Sequence, residues 1–310
     1  MEPRHGARYD EILALARATE AAGFDAFFRS DHLMGVDPRD PAYRPTDCWT
    51  TLGGLARDTR RVRLGALVGA ATFREAGLLA TIVASVDEMS GGRVELGLGT
   101  GWYEREHAAF GIPFPPTGRR FDRLDEQLAV VTGLWRAART GTPFSFDGEH
   151  HRIDDNHSPP HPVQTPHPPV IVGGTGPKRT PAIAARYADE FNGALGRGDL
   201  ADRYAVFDRA CEAIGRDPAT ARRSAVLPVA CGASAAEVER RGAVIGSELM
   251  RAHAAIGGPQ HLVDRIAGLA DSGADTVYLH VYDIHDLDHI ALIGAEVLPH
   301  VAATEEGALR

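Results

Sequence analysis

The chain has 310 residues, 44% hydrophobic and 24% charged, a balance that supports a large buried core and excludes disorder, collagen and coiled coil. Lys plus Arg number 33 against 42 Asp plus Glu, a formal charge of −9, and no long basic block offers a stripe for nucleic-acid phosphates or an anionic membrane. Three scattered cysteines, Cys48, Cys211 and Cys231, provide neither a disulfide framework nor a CxxC zinc knuckle and agree with a reducing cytoplasm, while the start, MEPRHGARYD, has no apolar export segment.

Tyr9, Ile12, Leu13 and Ala16 recur at helical spacing before Gly23, predicting a helix over 9–22. FDAFFR (24–29) is then a buried strand running into Ser30-Asp31-His32. Thr46 or Asp47 caps a helix over 47–58, RVRLGALV (61–68) is the next strand, and a helix over 75–89 stopped by Gly91-Gly92 precedes the strand RVELGLG (93–99). A long helix covers 119–138. In 140–167, FSF and HHRI around Asp147-Gly148 predict a hairpin followed by proline-rich linker, an insertion within a single domain over 1–310. The rhythm resumes with strands at 168–174, 189–193, 224–230 and 275–282, and helices at 180–187, 199–214, 235–252, 259–272 and 286–302.

The strands are apolar throughout, as when both faces of a parallel sheet are covered. Alternating βα units over nearly the whole chain predict an α/β fold, a (β/α)8 TIM barrel; an open Rossmann sheet is second because no GxGxxG follows the first strand. Only seven barrel strands are visible, and MEPRHGAR has no aliphatic run, so the first strand is expected to be missing, with a gap between 24–29 and 275–282 and a true start upstream.

Chemistry in such a barrel sits on loops after the C-terminal strand ends. Asp31-His32 there is an acid–base pair, a titratable imidazole beside a carboxylate, although a surface-loop pair reads the same. GGTGPKR (173–179) places Gly173, Gly174, Thr175 and Gly176 between a strand and a helix whose free amides can hold an anion, with Lys178, the sole lysine, and Arg179 adding charge. LGLGTGWY surrounds Thr100 with glycines, Gly101 among them, that let the backbone approach a flat ligand. Trp49 and Tyr282 read as half core and half pocket wall, and His280 sits with Tyr282 at the last strand end. Asp154, Asp155, His150, His151, His157, His161 and His167 have no HxH or HExxH spacing, so no metal is expected.

FDAFFRSDH, RVRLGALVGAATFR, MSGGRVELGLGTGWYEREHAAFGIPFPP, RFDRLDEQLAVVTGLW and PPVIVGGTGPKRTPAIAARYADEFN together resemble the luciferase-like monooxygenase superfamily, in particular its deazaflavin-dependent oxidoreductase branch. The resemblance implies a barrel that binds coenzyme F420, or reduced FMN in other branches, acting on a small organic substrate as a homodimer. It puts Asp31 at the ring, His32 near the hydride-bearing face as catalytic residue, and a non-proline cis peptide at Leu67-Val68. Thr100, Gly101 and Trp102 would line the cofactor, Gly173 to Gly176 with Lys178 would hold phosphate, and Trp49, His280 and Tyr282 would face substrate. Relatives that oxidise glucose 6-phosphate carry glutamate at Trp102 and tryptophan at Val36, which argues against that substrate. An FMN-dependent monooxygenase and a non-catalytic flavin-binding protein are the alternatives.

Overall fold

The computed structural model describes residues 6–35, 46–193 and 199–301. In chain order the elements are α1 (Tyr9–Ala21), β1 (Ala26–Arg29), α2 (Cys48–Asp58), β2 (Arg63–Ala66), β3 (Gly69–Ala70), α3 (Ala76–Ser90), β4 (Val94–Gly99), α4 (Glu104–Ala109), α5 (Thr117–Thr140) and the hairpin β5 (Phe144–Asp147) and β6 (Arg152–Asn156). There follow β7 (Val170–Gly174), α6 (Arg179–Tyr187), β8 (Glu190–Gly193), α7 (Leu200–Glu212), β9 (Arg222–Cys231), α8 (Ala235–Ala243), α9 (Glu248–His253), β10 (Ala255–Gly257), α10 (Pro259–Asp271), β11 (Thr276–His280), α11 (Leu287–Glu296) and α12 (Leu298–Val301).

Strands β1, β2, β4, β7, β8 and β9 lie side by side in that order, all parallel, and β11 and the short β10 both pair with β9. This is a curved α/β sheet with helices outside it. Leu52 and Leu55 of α2, Leu79 and Val83 of α3, Leu128, Val131 and Trp135 of α5, and Phe207 of α7 are buried in the core. Local rules fix several boundaries: Asp47 caps α2 by accepting from the Thr50 amide at 2.7 Å, and Gly91 ends α3 at φ 69°.

Several expectations are corrected. The strand over 61–68 is interrupted: β2 ends at Ala66, the Leu67-Val68 peptide is cis, and two residues of β3 then pair with β4. The helix over 235–252 is two helices, with Ser247 capping the second. The last helix breaks at Val297, because Pro299 has no N–H to donate to the preceding turn. Helix α4 and strand β10 were not foreseen.

Among the described residues β1 pairs only with β2, and β11 only with β9, so the sheet is open between them, where the gap was expected. Charged side chains from neighbouring and more distant strands meet near the base of the sheet. Glu95 on β4 accepts hydrogen bonds from Arg63 on β2 and, at 3.1 Å, from Arg222 on β9. Arg222 also stands 3.1 Å from Oε2 of Glu190 on β8, and the Tyr278 hydroxyl of β11 donates to that carboxylate at 2.9 Å. Burial pushes the Glu190 carboxyl up, against the opposing pull of Ser224 and Arg222.

Candidate active site

The opposite, C-terminal end of the sheet collects the residues singled out from the sequence. Asp31 and His32 follow β1, and their side chains diverge. Asp31 is 3% exposed and accepts two hydrogen bonds from Arg74, at 2.5 and 3.3 Å, while Arg74 also reaches Asp47 at 2.6 Å. Desolvation alone would lower the Arg74 pKa, but the two carboxylates outweigh it and hold the guanidinium more firmly charged.

His32 takes a different carboxylate. Its Nδ1 lies 3.0 Å from Oε2 of Glu106, and Oε1 of the same group accepts from the Leu33 amide and, at 2.8 Å, from the Met34 amide. Glu106 is 1% exposed and rides on α4, just behind the GTGWY loop. A carboxylate against Nδ1 favours the tautomer in which that nitrogen donates, with Nε2 not engaged by Glu106. The expected Asp31-His32 pair is thus replaced by two separate pairs, Asp31 with Arg74 and His32 with Glu106. Neither partner was identified from the sequence; the available signal was an arginine and a glutamate lying just beyond two strand-end loops.

The loop around Thr100 is shaped by packing beneath it. Gly101 adopts φ 75°, and Arg120 bonds its carbonyl while stacking 3.9 Å over Phe114. Thr72 and His107 form a buried 2.6 Å hydrogen bond below, and His107 Nδ1 donates to the Tyr103 carbonyl at 2.8 Å. Trp102 is 64% exposed, stacked on Tyr103 with ring centroids 5.1 Å apart and edge-on to His32 at 5.6 Å. Its indole therefore presents a bare apolar face next to the imidazole.

Leu67 and Val68, half-buried, form the floor. A Cβ on Gly97, Gly99 or Gly173 would come within 3.1 Å of the Val68 methyls, so these glycines make room for that side chain to lie across the sheet end. At the loop after β7, Gly174 has φ 153°, and no side chain caps the first turn of α6, which begins after Lys178. Gly173 is buried, Gly174 and Gly176 half-buried, and Thr175 and Lys178 exposed. Arg179 departs from expectation: it bonds Asp122 at 2.6 Å and the Gly118 carbonyl at 3.0 Å on α5, while Arg203 of α7 reaches the loop and donates to the Gly174 carbonyl at 2.7 Å beside the exposed Lys178.

Trp49 is 3% exposed within the apolar core, so of its two expected roles the core one is observed. His280, the last residue of β11, stacks on Tyr282 with ring centroids 4.3 Å apart. Val36 lies outside the described residues. Among the described residues no helix is long and apolar enough to cross a membrane.

Residues 1–245 match the profile of the luciferase-like monooxygenases, and the chain belongs to that family. It is 36% identical over 186 residues to an F420-dependent glucose-6-phosphate dehydrogenase of Nakamurella multipartita, an alignment that covers 58% of this chain and only about half, 51%, of that relative. An FMNH(2)-dependent dimethylsulfone monooxygenase of Pseudomonas putida is 26% identical over 270 residues, covering 74% of this chain and 71% of that one. In fold, the chain is similar to an F420-dependent secondary alcohol dehydrogenase solved with an F420–acetone adduct, at a TM-score of 0.79 and 19% identity over 96% of each chain. The TIM-barrel class expected from the βα rhythm is therefore the class observed, with β1 and β11 unpaired with each other among the described residues.

Proposed function

We propose that the protein is an F420-dependent oxidoreductase that moves hydride between the deazaflavin and a small organic substrate. One observation carries the reading: His32, held at Nδ1 by the buried Glu106 carboxylate, presents its other nitrogen at the mouth beside an exposed indole. The similarity to F420-dependent relatives supports it.

The residues present fit the cofactor. Leu67, Val68, Thr100, Gly101 and the glycines beneath them offer a flat surface for a ring system, with Asp31 close to Gly69 at its edge. Gly173, Gly174, Thr175 and Gly176, the uncapped start of α6 and Lys178 offer amides and a cation to the phosphate-bearing tail. Bound F420 supplies a two-electron hydride donor or acceptor that no side chain here provides. Nε2 of His32 takes the hydroxyl proton of an alcohol as it is oxidised, or returns a proton to a carbonyl oxygen as it is reduced. Glu106 fixes the ring's orientation and offsets the positive charge while His32 holds both protons. Trp102 presents a flat apolar face, which favours an uncharged, hydrophobic flank on the substrate over a sugar phosphate. His280 and Tyr282 complete the pocket on the far side.

The protein acts as a homodimer, and three buried, unpaired cysteines agree with a reducing, cytoplasmic setting. Equilibrium binding of F420 and FMN to the purified chain, side by side, tests the reading. F420 should bind at least about tenfold more tightly, a difference of about 1.4 kcal/mol. Tighter FMN binding turns the assignment to an FMN-dependent monooxygenase; binding of either without turnover of any alcohol or carbonyl substrate leaves a flavin-binding protein.

A further inference from the structure

Helix α4 has six residues, too few to hold its shape by backbone bonds alone, and its N-cap residue Tyr103 supplies no side-chain cap. Two adjacent polar side chains on it, Glu106 and His107, are nevertheless only 1% exposed. They leave the helix toward different loops. Glu106 takes His32 and the amides after β1, whereas His107 reaches the loop after β3, where the buried Thr72 hydroxyl meets its Nε2 at 2.6 Å.

The imidazole of His107 is held by packing and by both of its nitrogens. Its ring centroid lies 5.0 Å from that of Phe73 and 4.6 Å from that of Phe114. Nδ1 donates to the Tyr103 carbonyl at 2.8 Å, so Nε2 is the acceptor and the Thr72 hydroxyl the donor. The helix backbone gives that carbonyl only a long bond, from the His107 amide at 3.4 Å, which makes the side chain its firmer partner. A phenylalanine would fill the same space between Phe73 and Phe114; the histidine differs from it by its two hydrogen bonds.

What those bonds hold is the segment 100–103. Gly101 rests directly on them: a Cβ there would stand 3.3 Å from Thr72 Oγ1 and 3.6 Å from Cε1 of His107. Trp102 comes next, 64% exposed, its ring plane 16° from that of Tyr103 and its edge toward His32. So exposed an indole has little packing of its own to fix its angle. It takes that angle from Tyr103, whose carbonyl His107 holds.

We infer that His107 is a positioning residue that sets specificity: it fixes the Trp102 indole beside His32 as a flat wall for the substrate, and so selects alcohols or carbonyl compounds that carry an aryl group. This role rests on the oxidoreductase reading above. His107 acts through Tyr103 and Trp102, so it governs how tightly substrate is held. Proton transfer stays with His32 and Glu106.

The test follows F420 reduction by benzyl alcohol and by butanol in the parent chain and in His107→Phe, which keeps a ring and loses both hydrogen bonds. KM for benzyl alcohol should rise about tenfold in the variant, with kcat and F420 affinity within about threefold, and the parent's preference for benzyl alcohol over butanol should shrink by a similar factor. Acrylamide quenching reads the indole without any substrate, because Trp49 and Trp135 are buried, and it should rise about twofold in His107→Phe. His107→Asn, whose amide can donate from the place of Nδ1, should recover most of both losses. Parent values of KM and quenching in His107→Phe overturn the proposal, as does a parent that prefers butanol or a His107→Asn variant no better than His107→Phe. A joint fall of kcat, F420 affinity and melting temperature overturns it too, since lost packing alone produces that. If His107→Phe does not fold, Thr72→Val decides: it cuts the Nε2 bond at nearly constant volume and should raise KM for benzyl alcohol about threefold with kcat kept, and an unchanged KM removes the proposal. A parent chain that binds no F420 removes the oxidoreductase reading instead, and the quenching comparison then decides the role of His107 by itself.

Discussion

Two histidines in this molecule stand near acidic and basic groups, and their surroundings lead to opposite behaviour. His32 at the mouth is partly exposed, with the buried Glu106 carboxylate against Nδ1 and the Trp102 indole edge-on beside the ring. His289, on α11 behind β9, is 2% exposed, and its Nε2 accepts the Cys231 amide at 3.0 Å. Burial, then the Arg241 charge, push its pKa down to about 4, while Asp286, paired with Arg241 and itself held down to about 2, only partly opposes this. A histidine whose acceptor nitrogen is already engaged and whose nearest charge is a guanidinium is a structural acceptor; one backed by a carboxylate and open on its other side can carry a proton.

The largest expected effect comes from the structural histidine. His289 is neutral in the folded protein, whereas the unfolded chain takes up its proton below about pH 6.5. Its contribution is therefore complete above about pH 6.5 and is lost as pH falls toward 4, up to about 3 kcal/mol. Denaturant melts across that range should show the decline, and His289→Gln should flatten it. Burial pushes His151 in the same direction, so some slope should survive in the single variant. A wild-type protein equally stable at both ends contradicts the assignment.

Next is the histidine proposed to move the proton: His32→Ala should lower turnover roughly 10²-fold with little change in F420 affinity. A weaker cofactor complex at unchanged rate would make it a binding contact. Glu106→Gln sharpens the comparison, since it removes the negative charge at nearly constant shape. A fall in kcat of about tenfold with KM unchanged is expected, about 1.4 kcal/mol, and Glu106→Asp should restore part of it. Loss of thermal stability with full specific activity would reduce Glu106 to a loop anchor. The smallest effect is at the proposed phosphate loop, Gly173–Gly176. Lys178→Ala should weaken F420 about threefold at low salt, and the difference should shrink as salt rises.

The βα rhythm was legible because strands buried on both faces leave apolar runs, and because residues such as Asp47 and Gly91 mark helix ends by local chemistry. Strands β3 and β10 were not, since two or three residues carry no periodicity and exist only through pairing with β4 and β9. The site followed the same division. His32, Leu67-Val68 and the Gly173–Gly176 loop stand at strand ends and could be read there. The partner of His32 is 74 residues away, and adjacency in sequence pointed instead to Asp31, whose side chain the alternation of extended chain sends elsewhere. Arg179 looked like a phosphate ligand until its neighbour on α5 was known.

The ion-pair cluster at the base has a mechanical consequence. Among the described residues no ladder hydrogen bonds join β1 to β11, so the curl of the sheet is not held there by backbone pairing. Glu95 reaches Arg222 past β7 and β8 as well as Arg63 on the adjacent β2, and Tyr278 reaches past β9 to Glu190, so the cluster ties together strands that no ladder joins directly. Curvature at the floor is thereby kept by side chains rather than by the ladder. The spacing of His32 and the Gly173–Gly176 loop, which follow β1 and end β7 at the rim above, depends on that bracing far below them.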